Sequence, residues 1–418
     1  MNSVDVNKKN TYNIKSKYLQ LKQVLFATNQ RVWWLFFLIA IVTYGRYLLN
    51  LTVPVFSRII PWEIAAYFPK IIIWLTIIVT IPQLAPRLRL IDVLLYVLFF
   101  LFYTSQYLFY PENSAYLDEY FSFVLFSVVP YYFIGCVIDI KKLKELFLAL
   151  SILTIFVYYV EDVLVAQNVV DNVDGEYNMG KAYSLLPSAI FITWSVLEKF
   201  KIIPFLAFIA SLFLLLACGT RGPLFCLFLF IVLILLFVSK GKYRWFAIVV
   251  FGLLAVYLFL HIENLMIALD SNLTSVGGST RIVDYFFEGR MDSDSGRDNI
   301  INVLKNLLDA NPSYLGFGLF GSWRYVGVYA HRITWDFWFS FGYYFGTLLI
   351  IVFLIPIILG LKCCKDSDEK GYWFVLLCTG LIPLFFSEFF LFKEHFFIFI
   401  GYCVSRIRHI ELPVIKSS

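Results

Sequence analysis

The sequence predicts an all-α, polytopic membrane protein of about twelve helical spans, with one large external loop between the ninth and tenth spans. Hydrophobic residues make up 60% of the 418 residues and charged residues only 15%, and the mean hydropathy is +0.78. Globular proteins average roughly 45–50% apolar and about 25% charged residues. A chain this apolar has too little polar surface to cover itself in water, which excludes an ordinary soluble protein.

Apolar runs of about 20 residues, the length at which an α-helix crosses a hydrocarbon core, define the predicted spans. Aromatic residues flank many of these runs, as they do at the headgroup level of membranes. The predicted spans are residues 32–52, 64–83, 90–109, 120–138, 145–163, 182–198, 202–218, 223–239, 244–262, 334–360, 372–391 and 394–406.

The placement of lysine and arginine predicts the orientation of these spans. Every second connection is basic, as is the N-terminal tail, and the connections between them are mostly acidic or neutral. The basic connections contain Arg87/Arg89, Lys141/Lys142/Lys144, Lys199/Lys201, Lys240/Lys242/Arg244, Lys362/Lys365/Lys370 and Arg406/Arg408. Since cytoplasmic loops carry the excess of basic residues, both termini are predicted to be cytoplasmic. Lys393 is an exception on the outer side, with Glu394 beside it.

The resulting organisation has five parts. They are a basic cytoplasmic tail (1–31), nine spans (32–262), the large periplasmic or extracellular loop (263–332), three spans (333–406) and a cytoplasmic C-terminal tail (407–418). The large loop carries Arg281, Arg290, Arg297, Arg324 and Arg332, although basic residues are disfavoured outside. Discrete arginines in an acid-balanced loop suit either internal salt bridges or the capture of an anion by bidentate guanidinium contacts.

The loop also contains two local patterns. Residues 298–310 place apolar side chains at helical spacing, and Pro312 follows as a stop, which predicts an amphipathic helix on the membrane surface or across a cavity mouth. Gly316 and Gly318 follow, and their missing side chains would let the backbone approach a ligand closely. A glycine-rich surface turn is the alternative interpretation.

Two further candidates lie at the predicted outer boundary of the membrane. Arg221 sits in a tiny connection between two apolar helices, where it either snorkels to the interface or binds an anion. His331 stands where the large loop re-enters the membrane, about one helical turn before Asp336, which could orient the imidazole. A neutral imidazole there can take a proton from a hydroxyl, whereas an imidazolium can donate to a phosphate; an interfacial histidine without chemistry is the third alternative.

Four stretches together resemble the bacterial O-antigen and capsular polysaccharide polymerase family (Wzy-type), which is similar in layout to the O-antigen ligases. They are residues 177–187 (YNMGKAYSLLP), residues 219–224 (GTRGPL), Ser295-Gly296-Arg297 with the following helix and Gly316/Gly318, and residues 330–336 (AHRITWD) with Gly342 and Gly346. The sequence departs from the family pattern at Arg332, where the family often has Asn, and at Asp336, where it often has Glu. The resemblance covers about residues 120–390.

This resemblance implies a membrane glycosyltransferase of the bacterial inner membrane. Its donor and acceptor would both be oligosaccharides linked to undecaprenyl pyrophosphate, and its other partners would be the lipid bilayer and a chain-length regulator protein, with no nucleic acid. Arg221 and Arg297, assisted by Arg281 or Arg290, would bind the pyrophosphate. His331, with Asp336, would activate the acceptor hydroxyl. We expect no cofactor and no metal ion, because no outside acidic pair has further metal-type ligands nearby.

Three alternatives remain at the level of sequence. An O-antigen ligase would use the same donor but transfer the glycan to a lipid A core. A transporter or flippase for lipid-linked oligosaccharides commonly shows paired halves and broken midplane helices, and no internal repeat is present here. A structural membrane component would leave the arginines of the outer loop unexplained.

Overall fold

The computed structural model describes residues 37–44, 61, 67–84, 90–166, 179–238, 249, 261–275, 281–288, 297–311 and 315–411. The N-terminal tail, most of the spans predicted at 32–52 and 244–262, Arg290, Pro312 and residues 412–418 lie outside the described residues. Within those ranges every regular element is a helix and no strand occurs. The all-α prediction is confirmed for this part of the chain.

The longer helices fall in the order expected from the apolar runs. They are α1 (Phe68–Leu84), α2 (Leu90–Phe109), α3 (Ser114–Phe123), α4 (Tyr131–Val137), α5 (Ile140–Ala166), α6 (Met179–Glu198), α7 (Ile202–Ala217), α8 (Arg221–Phe237), α9 (Ile262–Ser275), α10 (Arg281–Phe287), α11 (Arg297–Ala310), α12 (Gly321–Val326), α13 (Ile333–Phe341), α14 (Tyr343–Cys363), α15 (Ser367–Leu376) and α16 (Glu394–Glu411).

Four described segments have the length and apolar composition needed to cross a membrane: Leu90–Phe109, Pro111–Val137, Ile140–Val160 and Tyr343–Cys363. The first and last are only 17% buried against the rest of the chain, so their apolar side chains face outward. An apolar surface of that extent requires apolar surroundings. The helices are therefore compatible with a membrane protein, and the count of twelve spans stays a prediction.

Two of the predicted spans are wrong as continuous helices. The span predicted at 334–360 is broken at Gly342, whose φ of 78° and ψ of 162° separate α13 from α14. Residues 372–391 are not one helix either, because α15 ends at Leu376 and gives way to a π-helical turn and 3₁₀ turns. Apolar composition predicts burial in lipid or protein, but it does not exclude a break that neighbouring segments stabilise.

The helices pack around two centres. Helix α6 packs on α5, α7 and α8, and helix α16 packs on α4 and α14. Gly135 of α4 lies directly against the backbone of Ile398, and Gly401 of α16 lies against the backbone of Tyr132, leaving no room for a Cβ atom at either position. Small residues at such crossings let helix backbones approach closely, as they do in membrane helix pairs.

Ion pairs gather at one end of the helices, where α5 begins and α16 ends; we refer to it as the ion-pair end. Lys141 pairs with Asp366 (2.6 Å) and Lys144 with Asp368 (2.6 Å), and Arg406 pairs with Glu369 (2.6 Å). These bases belong to connections that the sequence predicts to be cytoplasmic. Their carboxylate partners come from α15 and the turn before it, so charge neutralisation joins three helices there.

The most buried of these pairs joins the first turn of α2 to the last turns of α16. Arg408 binds both carboxylate oxygens of Asp92, with Nη2 2.5 Å from Oδ1, and the Tyr132 hydroxyl donates to the same Oδ1 at 2.6 Å. The side chain of Asp92 is fully buried and that of Arg408 is 14% exposed. Removing one member of such a pair leaves the other charge buried without compensation.

We therefore predict that Asp92→Asn lowers the free energy of unfolding by about 3–5 kcal/mol. The matched control is Lys141→Gln, which breaks an ion pair whose lysine side chain is 59% exposed and should lower the free energy of unfolding far less than Asp92→Asn does. Denaturant unfolding in detergent micelles measures both variants. Equal losses in the two variants would contradict the structural role of the Asp92–Arg408 pair.

Candidate functional site

A broken helix forms the centre of the opposite end of the molecule, which we refer to as the site end. After α15, a π-helical turn (Leu377–Leu381) and a 3₁₀ turn (Ile382–Phe385) lead into residues 386–393, where no α-helix forms before α16 begins. Backbone carbonyls in such a segment have no i+4 donor and must find other partners when buried. Side chains from distant parts of the chain supply those partners.

Arg297, the first residue of α11, is one of those donors. Its Nη1 donates to the carbonyl of Phe386 at 2.6 Å and its Nη2 donates to Ser387 Oγ at 3.3 Å. Both contacts are to uncharged groups, and none of the described carboxylates forms an ion pair with Arg297. The half-buried guanidinium thus keeps its positive charge uncompensated by any described neighbour.

The other described loop arginines differ from Arg297. Arg324 pairs with Glu112 (3.4 Å) and Arg332 pairs with Asp298 (3.1 Å), and all four side chains are at least 40% exposed. These two arginines match the salt-bridge interpretation of the loop. Arg297 matches the anion-binding interpretation, because a guanidinium without a carboxylate can accept an anionic ligand.

Helix α11 occupies the position of the helix predicted at 298–310. Its apolar residues Leu304 and Leu308 are buried against Ala330 and Phe339. The apolar face therefore packs on the chain itself, beside the segment that carries His331. This packing fixes Arg297, at the start of α11, with respect to α13.

His331 lies next to Arg297 in a strained turn. Its φ of 59° is in the left-handed region, which non-glycine residues adopt at a cost of about 1–3 kcal/mol and which recurs at functional sites. The imidazole contacts the ring of Tyr329, with 4.2 Å between ring centroids. Tyr329 in turn donates its hydroxyl to the Ser387 carbonyl at 2.5 Å.

The charge state of His331 follows from burial. Burial, together with the nearby Arg297 guanidinium, lowers the pKa of His331 to about 4, and a hydrogen bond to the Ser387 backbone opposes this shift only in part. The ring is therefore neutral at physiological pH. Among the described residues, its buried Nδ1 atom has no hydrogen-bond partner.

Asp336 supports this turn without contacting the imidazole. Its Oδ1 accepts the Ala330 backbone N–H at 3.0 Å, and its Oδ2 is buried without a hydrogen-bond partner among the described residues. The structure thus makes Asp336 a positioning residue for the backbone around His331, whereas the sequence suggested that it orients the ring.

Helix α8 brings Arg221 to the site end. The ring of Phe225, one turn along α8, lies 5.0 Å from the ring of Phe386 in the broken helix. Gly222 faces the hydroxyl of Tyr183, with no space for a Cβ between them. The structure therefore places the start of α8, with Arg221, beside the same segment that Arg297 contacts.

Several residues of this region were not singled out as candidates from the sequence. Lys393 is 5% exposed, forms an ion pair with Glu388 and places its Nζ 5.2 Å from the centre of the Tyr183 ring. The sequence placed Glu394 beside Lys393 but gave no sign of the ion pair with Glu388. Tyr183 lies in the stretch 177–187 that resembles the polymerase family, but it was given no role there. Ser387 and Tyr329 carried no sequence signal beyond their polarity within apolar stretches, because their role depends on the helix break.

The glycines of the large loop contact other parts of the chain. Gly316 lies against the backbone of residues 339–342, and Gly318 lies against the ring of Tyr110. The adjoining backbone is fixed by Asn113, whose Nδ2 donates to Phe317 O at 2.8 Å and to Leu319 O at 2.9 Å. The close packing of Gly316 and Gly318 is thus explained by contact between the large loop and the helices.

Two expectations from the sequence remain, one for Arg281 and one for metal binding. Arg281 begins helix α10, and nothing further is described for its side chain. Among the described residues, no group of three or more His, Cys, Asp or Glu side chains is arranged to hold a metal ion. The site end therefore combines Arg221, Arg297, His331 and Asp336 from three separate stretches of sequence.

The pKa of His331 predicts a pH dependence of stability. The unfolded imidazole takes up a proton as pH falls through about 6.5, whereas the folded ring resists protonation until about pH 4. Protonation therefore favours the unfolded chain, and this histidine removes stability as pH falls from about 6.5 towards 4. Denaturant unfolding at about pH 7.5 and about pH 5 should show a larger loss for the parent than for His331→Gln. Equal losses would mean that the folded ring titrates normally.

The chain matches no protein-family model, and comparisons with curated proteins and with solved structures find no match either.

Proposed function

We propose that the protein is a polysaccharide polymerase that joins lipid-linked oligosaccharide repeats of an O-antigen or capsule. The observation that carries the proposal is the proximity of Arg297, whose guanidinium is paired with no described carboxylate, to the neutral imidazole of His331. Transfer of a glycan from a lipid pyrophosphate needs both features in one place: fixed positive charge for the leaving group and a base for the attacking hydroxyl. Two of the four stretches that resemble the polymerase family contain these residues, and a third contains Arg221.

The proposed reaction is a displacement at the anomeric carbon of the growing glycan. A hydroxyl of the next lipid-linked repeat attacks that carbon while its proton moves to the imidazole of His331. The bond from the anomeric carbon to the phosphate oxygen breaks, and the electron pair leaves with undecaprenyl pyrophosphate. Arg297 and Arg221 stabilise the negative charge that develops on the leaving group. Asp336 holds the turn that carries His331.

The environment of His331 suits this role better than the cationic alternative. An imidazolium donor would have to form beside Arg297 in a buried position, and both effects lower the pKa of the ring. A neutral base with a low pKa is already deprotonated across the physiological range. The activity is accordingly expected to show no rise through about pH 6.5 that depends on His331.

The acceptor separates this function from its nearest alternative. An O-antigen ligase would use the same donor and transfer the glycan to a lipid A core. Deletion of the gene distinguishes the two in a glycan gel: loss of a polymerase leaves single-repeat products, whereas loss of a ligase leaves no capped core. Unchanged glycan in the deletion strain would contradict both functions.

We predict that Arg297→Ala, expressed in the deletion strain, abolishes long-chain glycan while the protein still reaches the membrane. Loss of a bidentate, charge-assisted contact at a developing anion should slow transfer about a hundredfold or more. Arg297→Lys should restore only part of the chain length, since an ammonium cannot reproduce the planar fork.

Arg324→Ala is the matched control for this experiment. Arg324 is a neighbouring loop arginine, but it pairs with Glu112 at the surface, and exposed pairs contribute little. It should give the parental distribution of chain lengths. A parental distribution in Arg297→Ala as well would remove Arg297 from the proposed site.

The proposal places the site on the outer face of the bacterial inner membrane, with both termini in the cytoplasm. We predict that Lys305→Cys on α11 reacts with a membrane-impermeant maleimide in intact cells, whereas Lys142→Cys at the ion-pair end reacts only after the membrane is opened. Both lysines are exposed in the structure, so the comparison reports the side of the membrane. The reverse pattern would overturn the orientation and the periplasmic site.

A further inference from the structure

The N-terminus of helix α8 lacks the side-chain cap that its sequence offers. Thr220 is the N-cap residue, with extended φ and ψ of −112° and 127°, yet its side chain makes no capping hydrogen bond. Threonine is a common cap because its oxygen accepts a first-turn N–H. Here Thr220 is only 4% exposed, and its Oγ1 is buried without a hydrogen-bond partner.

A second unpartnered hydroxyl points at the same turn. Tyr183 of α6 is 3% exposed, and its hydroxyl lies against Gly222, the second residue of α8. Among the described residues, the Tyr183 oxygen also has no hydrogen-bond partner. A Cβ at position 222 would lie 2.2 Å from this oxygen, so glycine is what lets the Tyr183 hydroxyl reach the first turn of α8.

Burying two hydroxyls without hydrogen-bond partners lowers the stability of the fold. Native proteins tolerate such groups mainly where a ligand, an ion or water completes the hydrogen bonds. The first turn of a helix presents N–H donors and the positive end of the helix dipole. A ligand there must accept hydrogen bonds from both hydroxyls and the backbone, which is the chemistry of a phosphate group.

The charges around Tyr183 connect this turn to Arg297. Both Glu388 and Arg297 lie close enough to act electrostatically on the Tyr183 hydroxyl, and Lys393 lies over the Tyr183 ring. Glu388 is neutralised by its ion pair with Lys393. Tyr183 therefore stands between two places that attract anions: the start of α8 and the Arg297 guanidinium.

We propose that the start of α8, Thr220 and Tyr183 form a phosphate subsite that works together with Arg297 to bind an organic diphosphate. One phosphate group takes hydrogen bonds from Thr220, Tyr183 and the first turn of α8, and the other contacts Arg297. This inference rests on the proposed function for the source of the diphosphate, a polyprenyl lipid. The subsite itself rests on the unpartnered hydroxyls and the helix terminus.

Binding measurements on the purified protein in detergent micelles test the subsite without requiring turnover. The probes are inorganic phosphate, inorganic pyrophosphate and farnesyl diphosphate, titrated by isothermal calorimetry. The parent should bind pyrophosphate more tightly than phosphate, because only a diphosphate reaches both places. Tighter binding of farnesyl diphosphate than of pyrophosphate identifies a lipid ligand, and equal binding identifies the free anion.

Four variants separate the effect of the hydroxyls from that of general packing. Tyr183→Phe and Thr220→Val remove one donor each and should weaken pyrophosphate binding about tenfold or more. Thr220→Ser keeps the hydroxyl and should bind like the parent. Tyr372→Phe removes another buried hydroxyl without a hydrogen-bond partner, on the α15 side near Tyr402, and should leave binding unchanged.

The outcomes distinguish this subsite from the proposed function. Parental affinity in both Tyr183→Phe and Thr220→Val, in protein that unfolds at the parental temperature, overturns the subsite. Failure of the parent to bind either diphosphate overturns it as well. Weakened binding in the variants, together with unchanged glycan in the deletion strain, supports the subsite while rejecting polymerisation as its purpose.

Discussion

The contact between the Arg297 guanidinium and the Phe386 carbonyl joins two parts of the chain that are 89 residues apart. The carbonyl is available because the helix after α15 unwinds, and a buried carbonyl without a partner is costly. The guanidinium satisfies it while using only part of its donor capacity, since arginine has five N–H groups. The break in the helix and the position of the arginine thus depend on each other.

Charge compensation differs between the two ends of the molecule. At the ion-pair end, bases such as Arg406 and Arg408 meet carboxylates within 2.6 Å or less, and their charges are cancelled. At the site end, Arg297 meets only uncharged oxygen atoms among the described residues, and His331 is held neutral. Paired charges stabilise the contact between helices, whereas an unpaired guanidinium beside a neutral base retains the capacity to act on a ligand.

Several features could be predicted from the sequence because they depend on local composition and spacing. Runs and patterns of neighbouring residues predict the helical class and the helix at 297–310. They also identify Arg221, Arg297 and His331 as candidate site residues. The breaks at Gly342 and after Leu376 did not follow, because the surrounding residues are as apolar as those of a continuous span. A break in a helix is tolerated when distant groups satisfy its backbone, and no local pattern reports those groups.

The sequence by itself determined that this chain is helical and too apolar for an ordinary soluble fold, since composition and the period of hydrophobicity are properties of the chain alone. Only the tertiary structure decided which charged groups are compensated. Lys393 pairs with Glu388, and Tyr183 meets the first turn of α8 across a gap in sequence. Electrostatic interactions act through space, so burial and distance, which the fold sets, decide whether a given arginine or histidine is structural or free to bind.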